Sequence, residues 1–227
     1  MTRPRRSACL LTAAMLVWGL GDLSVRADSP RQLFDGQTFQ GWNGDTAGTW
    51  RIEDGALVAG VPGAACPRNE FLATDAEFEN FDLALEYRLD CTQGCNAGVQ
   101  FRSRRVPNHH EVSGYQADIG PGITGALYDE CRRNRFLLTP PEALQEQATG
   151  LAREGWNTYR IRCEGRRCRL WLNRLEMLDY TEPDADIPLR GMVALQIHGG
   201  LVGTIRYRNL QIQELPKADA NSPAPPR

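Results

Sequence analysis

Along most of the chain, hydrophobic and polar positions alternate with a period of two. The clearest run is 81–89. Phe81, Leu83, Leu85, Tyr87 and Leu89 fall on one side, and Asp82, Ala84, Glu86 and Arg88 on the other, as in a half-buried antiparallel strand. Thr49-Trp50-Arg51-Ile52-Glu53 and Ala56-Leu57-Val58-Ala59 flank Asp54-Gly55, a hairpin signal because these residues accept the positive φ of a two-residue turn. Further short runs lie at 71–74, 97–103, 114–119, 156–163, 168–172, 175–180, 191–197 and 204–215. In the last of these, Ile205, Tyr207, Asn209, Gln211 and Gln213 are expected to share one side. Residues 60–68 read as loop from their Gly and Pro content. Pro140 to Ala148 reads as one short helix with Pro141 near its first turn. About a dozen short strands with Gly-rich turns predict an all-β antiparallel sandwich.

The 227 residues, 41% of them hydrophobic, suit a single domain with a proper core. Its expected bounds are 28–215, with 216–227 (PKADANSPAPPR) as a disordered tail. Residues 1–27 read as a signal peptide: Arg3, Arg5 and Arg6 precede the short apolar stretch Ala8 to Leu20, and Val25-Arg26-Ala27 forms a small-x-small cleavage site. The processed chain is therefore expected to be exported, to the periplasm, the cell surface or the medium, with no stable membrane span. Without 1–27, 22 basic and 27 acidic residues remain. That balance argues against nucleic acid as a partner.

Six cysteines follow residue 27. Cys163 and Cys168 flank what reads as a hairpin turn, so a cross-strand bridge is natural there. Cys91 and Cys95 close a small loop, and Cys66 with Cys131 is left by elimination. The spacings do not make a paired metal-binding set.

The ordered set LFDGQTFQGW (33–42), WRIEDGALVAG (50–60), FENFDLALEYRL (78–89), NAGVQFRS (96–103), GYQADIG (114–120), GALYDE (125–130), GWNTYRIRCEGRRCRLWLN (155–173), DYTEPD (179–184), GMVALQIHGG (191–200) and VGTIRYRNLQIQEL (202–215) resembles the 3-keto-disaccharide hydrolase domain family over nearly the whole processed chain. The resemblance implies a concanavalin A-like jelly-roll β-sandwich of two antiparallel sheets. It also implies export and a carbohydrate substrate, a glycoside already oxidised to a ketone at C3. GYQADIG stands where many relatives have a Gly-Tyr-Glu-Val-Gln-Ile-like strand, which moves the carboxylate along the strand. QIHGG stands where many have Gln-Asp-His-Gly.

Glycosidases that work by direct displacement flank the scissile bond with two carboxylates. Here the i, i+2 pair on the strand is Gln116 and Asp118, so a second carboxylate has to come from Glu86, Asp129 or Glu130. A 3-keto sugar needs less. Its ketone acidifies the C2 hydrogen, one base removes that proton, and the C1 substituent leaves from the enolate. Asp118 and His198 are the candidate bases, and Arg102 or a metal the candidate holder of the enolate oxygen. Asn96, Gln100, Gln116, Tyr128 and Glu130 are the candidate substrate-binding residues. No cofactor is required by the pattern, and a divalent metal is a candidate. His109-His110-Glu111 is a weaker metal candidate, because adjacent strand residues point apart. Trp50, Trp156 and Trp171 read as core aromatics. The competing reading is a non-catalytic, lectin-like carbohydrate-binding module on the same fold.

Overall fold

A computed structural model describes residues 29–216. The leader expected over 1–27, and all but the first residue of the tail expected over 216–227, lie outside the described residues. The strands are β1 (Arg31–Gln32), β2 (Trp42–Asn43), β3 (Trp50–Glu53), β4 (Ala56–Ala59), β5 (Glu70–Phe78), β6 (Phe81–Gln93), β7 (Ala97–Arg105), β8 (Val112–Ile119), β9 (Leu127–Glu130), β10 (Arg135–Leu138), β11 (Asn157–Glu164), β12 (Arg167–Leu172), β13 (Leu175–Thr181), β14 (Gly191–Ile197) and β15 (Val202–Glu214). One helix, α1 (Glu142–Thr149), follows Pro141.

The strands form a jelly-roll sandwich of two antiparallel sheets. The first runs β13-β12-β11-β6-β15-β4-β3, with β1 also on β15; the second runs β10-β9-β8-β7-β14-β5-β2. The alternation read at 81–89 is the reason. Leu83 and Leu85 of the first sheet turn inward with Tyr159, Ile161 and Tyr207. They meet Val99, Phe101, Tyr115, Ala117 and Leu195 of the second. A buried hydroxyl needs a partner, and three of the four core tyrosines show theirs. Tyr207 bonds the carbonyls of Gly98 (3.1 Å) and Gln196 (2.9 Å), and Tyr159 donates to the carbonyl of Asp118 (3.3 Å). Tyr115 donates to Glu182. The core of the first sheet thus fixes the backbone of the second.

Several expectations are corrected. The single-sided reading of 205–213 fails because Asn209 takes φ 53° and the register shifts between Arg208 and Gln211. Beyond that bulge Leu210 and Ile212 face the core instead. Trp50 is core, but Trp156 and Trp171 are only half-buried on the outer face of the first sheet. There, arginines stack on them: Arg208 lies 3.9 Å from the Trp156 ring centre, and Arg160 and Arg169 lie 4.8 and 5.1 Å from that of Trp171. Cys91–Cys95 is bridged. Cys163 and Cys168 are directly opposite in register, as expected, yet both are free thiols with sulfurs 3.2 Å apart. Cys66 and Cys131 are also free: Cys66 donates to the Arg68 carbonyl, while Cys131 sits exposed beside Glu130. No helix among the described residues is long and apolar enough to cross a membrane.

Candidate active site

The outer face of the second sheet carries polar side chains that no surface location explains, because they are buried. Inward residues of β7, β8 and β14 are apolar, so alternation turns Gly98, Gln100, Gln116, Asp118 and Gln196 outward. All four of the side chains beyond Gly98 are at most 3% exposed. They are linked: Ser103 donates to Gln100 (2.8 Å), Gln100 to Gln116 (2.7 Å), and Gln116 to Asp118 (2.6 Å). Gly98 pairs with Asp118 on one side and Gln196 on the other. A Cβ at Gly98 would lie 2.7 Å from the Gln116 side chain. The bare backbone there lets Gln116 lie flat and reach Asp118.

The β7–β8 hairpin packs against part of this face, over β14 and β5. Arg102 takes φ 49° and Gly114 φ 152°, and the register shifts between Phe101 and Arg104. This bulge bends the ribbon so that residues 104–112 fold back over the sheet. Val112 then clusters with Phe71, Ala73, Met192 and Ala194, and Arg105 donates to the carbonyls of Asn43 (2.9 Å) and Phe71 (3.0 Å).

The same bulge corrects the placement of Arg102. It does not share the face of Gln100 or reach Asp118. Its guanidinium is buried and donates to the carbonyls of Glu79 (2.5 and 2.9 Å) and Gly165 (2.7 Å). Glu79 lies in the turn between the sheets and Gly165 in the β11–β12 hairpin, so Arg102 ties the two sheets together and holds no enolate oxygen.

Folding the hairpin over also brings Glu111 to the site. Glu111 accepts from Asn69 (3.2 Å), and His110 lies 3.5 Å from it. Glu111, Glu130 and Cys131 present donor atoms within 4.8 Å of one another, a set in which two hard carboxylate oxygens suit a divalent cation. Burial pushes the Asp118 carboxyl up to about 8, against the Gln116 hydrogen bond, and the Glu130 charge adds to the rise. Burial, then the charge of Glu111, push Glu130 up to about 7. Burial and the same carboxylates push the Cys131 thiol up to about 11. Glu111 and Glu130 are half-buried and Cys131 is exposed, whereas Asp118 and Gln196 on the same face are buried. Both amide atoms of Gln196 are buried without a hydrogen-bond partner.

The other candidates separate. Tyr128 pairs with Gln116 on the outer face and packs edge-on against Phe136 at 5.0 Å. Asp129 faces inward and is held by Arg132 and Arg133. Glu86 lies on the other sheet, bonded to Arg208 at 2.7 Å. His198 follows β14 at the end of the Gln196 row, its Nδ1 2.7 Å from the Gly199 carbonyl and its backbone amide on the Asn96 carbonyl. Asn96 keeps a buried Oδ1 without a partner. His109 and His110 stack at 4.3 Å. Gln196 is the residue that sequence reasoning missed as a site member, and Glu111, read there only as part of a weaker metal candidate with His109 and His110, is the one it undervalued. Gln196 was visible as a polar residue in an otherwise apolar strand, whereas Glu111 arrives only through the bulge.

Comparison with known proteins bears on the family and the fold. The 3-keto-alpha-glucoside-1,2-lyase-like domain matches residues 29–213. A 3-keto-disaccharide hydrolase of Bacteroides thetaiotaomicron is 31% identical over 91 residues, a match spanning 37% of this chain and 31% of that protein. A proposed glycosyl hydrolase of Parabacteroides distasonis superposes with a TM-score of 0.60 at 16% identity, over 82% of this chain and 94% of the other. The carbohydrate binding module CBM66 of Bacillus subtilis superposes with a TM-score of 0.57 at 14% identity, over 77% and 96%. At these identities the two structures speak for the fold alone.

Proposed function

The chain belongs to the 3-keto-alpha-glucoside-1,2-lyase-like domain family, and on that premise we propose that it cleaves glycosides whose sugar carries a ketone at C3. The observation that supports the reaction is two carboxyls on neighbouring strands of one sheet face, the buried Asp118 and the half-buried Glu130, raised by burial to about 8 and about 7, with the charge of Glu130 contributing to the rise at Asp118. Near neutral pH the deeper group keeps its proton while the outer one is substantially ionised, so one is an acid and the other a base.

Glu130 takes the proton from C2, and the electrons of that bond form the C2–C3 double bond and the enolate oxygen. The Gln196 amide, which lacks a protein partner, donates to that oxygen. The C1–O bond then breaks as the enolate re-forms the ketone, and Asp118 protonates the departing oxygen. Water adds at C1 of the resulting enone, returning a proton to C2, to complete net hydrolysis. Gln100 and Gln116 hold Asp118 in place through their hydrogen bonds. In this scheme Glu130 takes over the role of base expected of Asp118 or His198, and Gln196 that expected of Arg102.

The N-terminal basic-apolar pattern and the Cys91–Cys95 bridge support an exported location, since disulfides persist in oxidising compartments.

The test is turnover of a 3-keto-glucoside and its unoxidised parent in deuterated water. The reading expects cleavage of the keto form alone, with deuterium entering C2 of product, and loss of both in Glu130→Gln. Binding of either sugar without turnover would instead favour a carbohydrate-binding module.

A further inference from the structure

On the outer face of the first sheet, arginines are matched with carboxylates: Arg51 with Glu53 (2.5 Å), Arg88 with Asp90 (2.8 Å), Arg160 with Asp82 (2.5 Å) and Arg208 with Glu86 (2.7 Å). Arg153 and Arg174 break this pattern. Among the described residues neither makes an ion pair, and both are exposed. They meet at one cleft of about 610 Å³, shared with Trp156, Asn173 and Arg208. That volume is in the range of small-molecule sites.

The cleft is built by two tight turns. Arg153 and Trp156 bridge across Glu154 (φ 53°) and Gly155 (φ 80°), while Asn173 (φ 47°) and Arg174 (φ 77°) join β12 to β13. Glycine occupies the second position of such turns at least cost. Here an arginine does, and it borders the cleft. Trp156 is half-buried, stacked on Arg208, and also borders an adjoining hollow of about 330 Å³. Of the two carboxylates in the cleft, Glu86 is engaged by Arg208, and only Glu154, exposed at its turn, offsets the two free guanidinium groups.

We propose that this cleft is a second carbohydrate site, one that binds a sugar ring bearing an anionic group, carboxylate or sulfate. Forked guanidinium donors match the oxygens of either group, and an indole supplies the apolar contact that a sugar ring face needs. The site lies on the sheet opposite Asp118 and does not depend on the reaction assigned there.

The test compares calorimetric binding of three oligosaccharides that end in glucuronic acid, in a sulfated glucose, or in plain glucose. At least one anionic form is expected to bind about tenfold more tightly than the neutral one, with affinity falling as salt rises. The tighter anion identifies the group. Arg174→Gly relieves the positive φ, so the fold is kept or stabilised, and it should weaken anionic binding about tenfold. Arg153→Gln should act in the same direction, and Asp118→Asn should leave this binding unchanged. Equal affinity for charged and neutral forms, unaltered binding in both arginine variants, loss of binding in Asp118→Asn, or an acidic peptide that binds equally tightly would each overturn the proposal.

Discussion

Arg102 donates from Nη1 to the carbonyl of Gly165 at 2.7 Å, joining a strand of one sheet to a hairpin of the other. The same guanidinium holds the Glu79 carbonyl. Arg102→Ala would strand these buried acceptors. It is expected to cost roughly 2–4 kcal/mol of stability, read as a lower urea midpoint. Because the residue does not reach the substrate face, kcat/KM of the folded fraction should stay within about twofold of wild type, where one decade corresponds to about 1.4 kcal/mol of barrier. A large loss of kcat/KM at unchanged stability would return Arg102 to the chemistry.

Burial raises both carboxyls, Asp118 to about 8 and the less buried Glu130 to about 7. The base must be ionised and the acid protonated. The profile of kcat/KM against pH should therefore rise through about 7 and fall through about 8, a narrow bell whose limbs belong to the pair. Glu130→Gln should remove the rising limb with most of the activity, about a hundredfold or more. Asp118→Asn should remove the falling limb, with a smaller loss for aglycones that leave readily without a proton. A profile flat between pH values of about 6 and about 9 would contradict the assignment.

Much of this was legible from alternation alone. Phe81 to Leu89 announced a half-buried strand, Asp54-Gly55 a hairpin, and Gln116 with Asp118 a shared face. What alternation could not show was where it breaks. Arg102 and Asn209 take positive φ without being glycine, and each bulge reverses the facing of the residues beyond it. Nothing local in either residue demands this; the partners that hold Arg102, Glu79 and Gly165, are 23 and 63 residues away. The membership of Glu111 in the site follows from the same bulge. Asp129 and Glu130 are adjacent acidic residues with opposite fates, one tied inward by Arg132 and Arg133 and one at the rim. Only the phase of a four-residue strand decides between them. The unbridged state of Cys163 and Cys168 is likewise not encoded in their spacing.

The raised Asp118 carboxyl has a stability consequence. Its folded value of about 8 lies above the ordinary aspartate value of about 3.9, so the folded protein holds this proton more tightly than the unfolded chain does. The resulting stabilisation is complete below about pH 4 and is lost as pH climbs through about 8. Wild type should therefore weaken between about pH 5 and about pH 9 by on the order of a few kcal/mol from this group. Asp118→Asn, which cannot ionise, should show a flatter urea midpoint across the same interval and overtake wild type at the alkaline end. Parallel curves for the two proteins would show that the carboxyl is not held protonated.

Gln196 offers the sharpest separation of stability from function. Its amide is 0% exposed and neither polar atom has a protein partner. A buried unpaired polar group costs about 1–3 kcal/mol, and replacing it with an apolar group of similar shape recovers part of that. Gln196→Met is therefore expected to raise the thermal midpoint, by the equivalent of about 1 kcal/mol. If the amide receives the enolate oxygen, the same change should lower kcat about a hundredfold while KM moves little, since the interaction forms only as charge develops. A variant that is more stable and fully active would show that Gln196 is idle in catalysis. A variant that loses stability would show that the amide is satisfied inside the fold, for instance by a bound water, and that the donor to the enolate must be sought among Asn96 and His198 at the end of the same row.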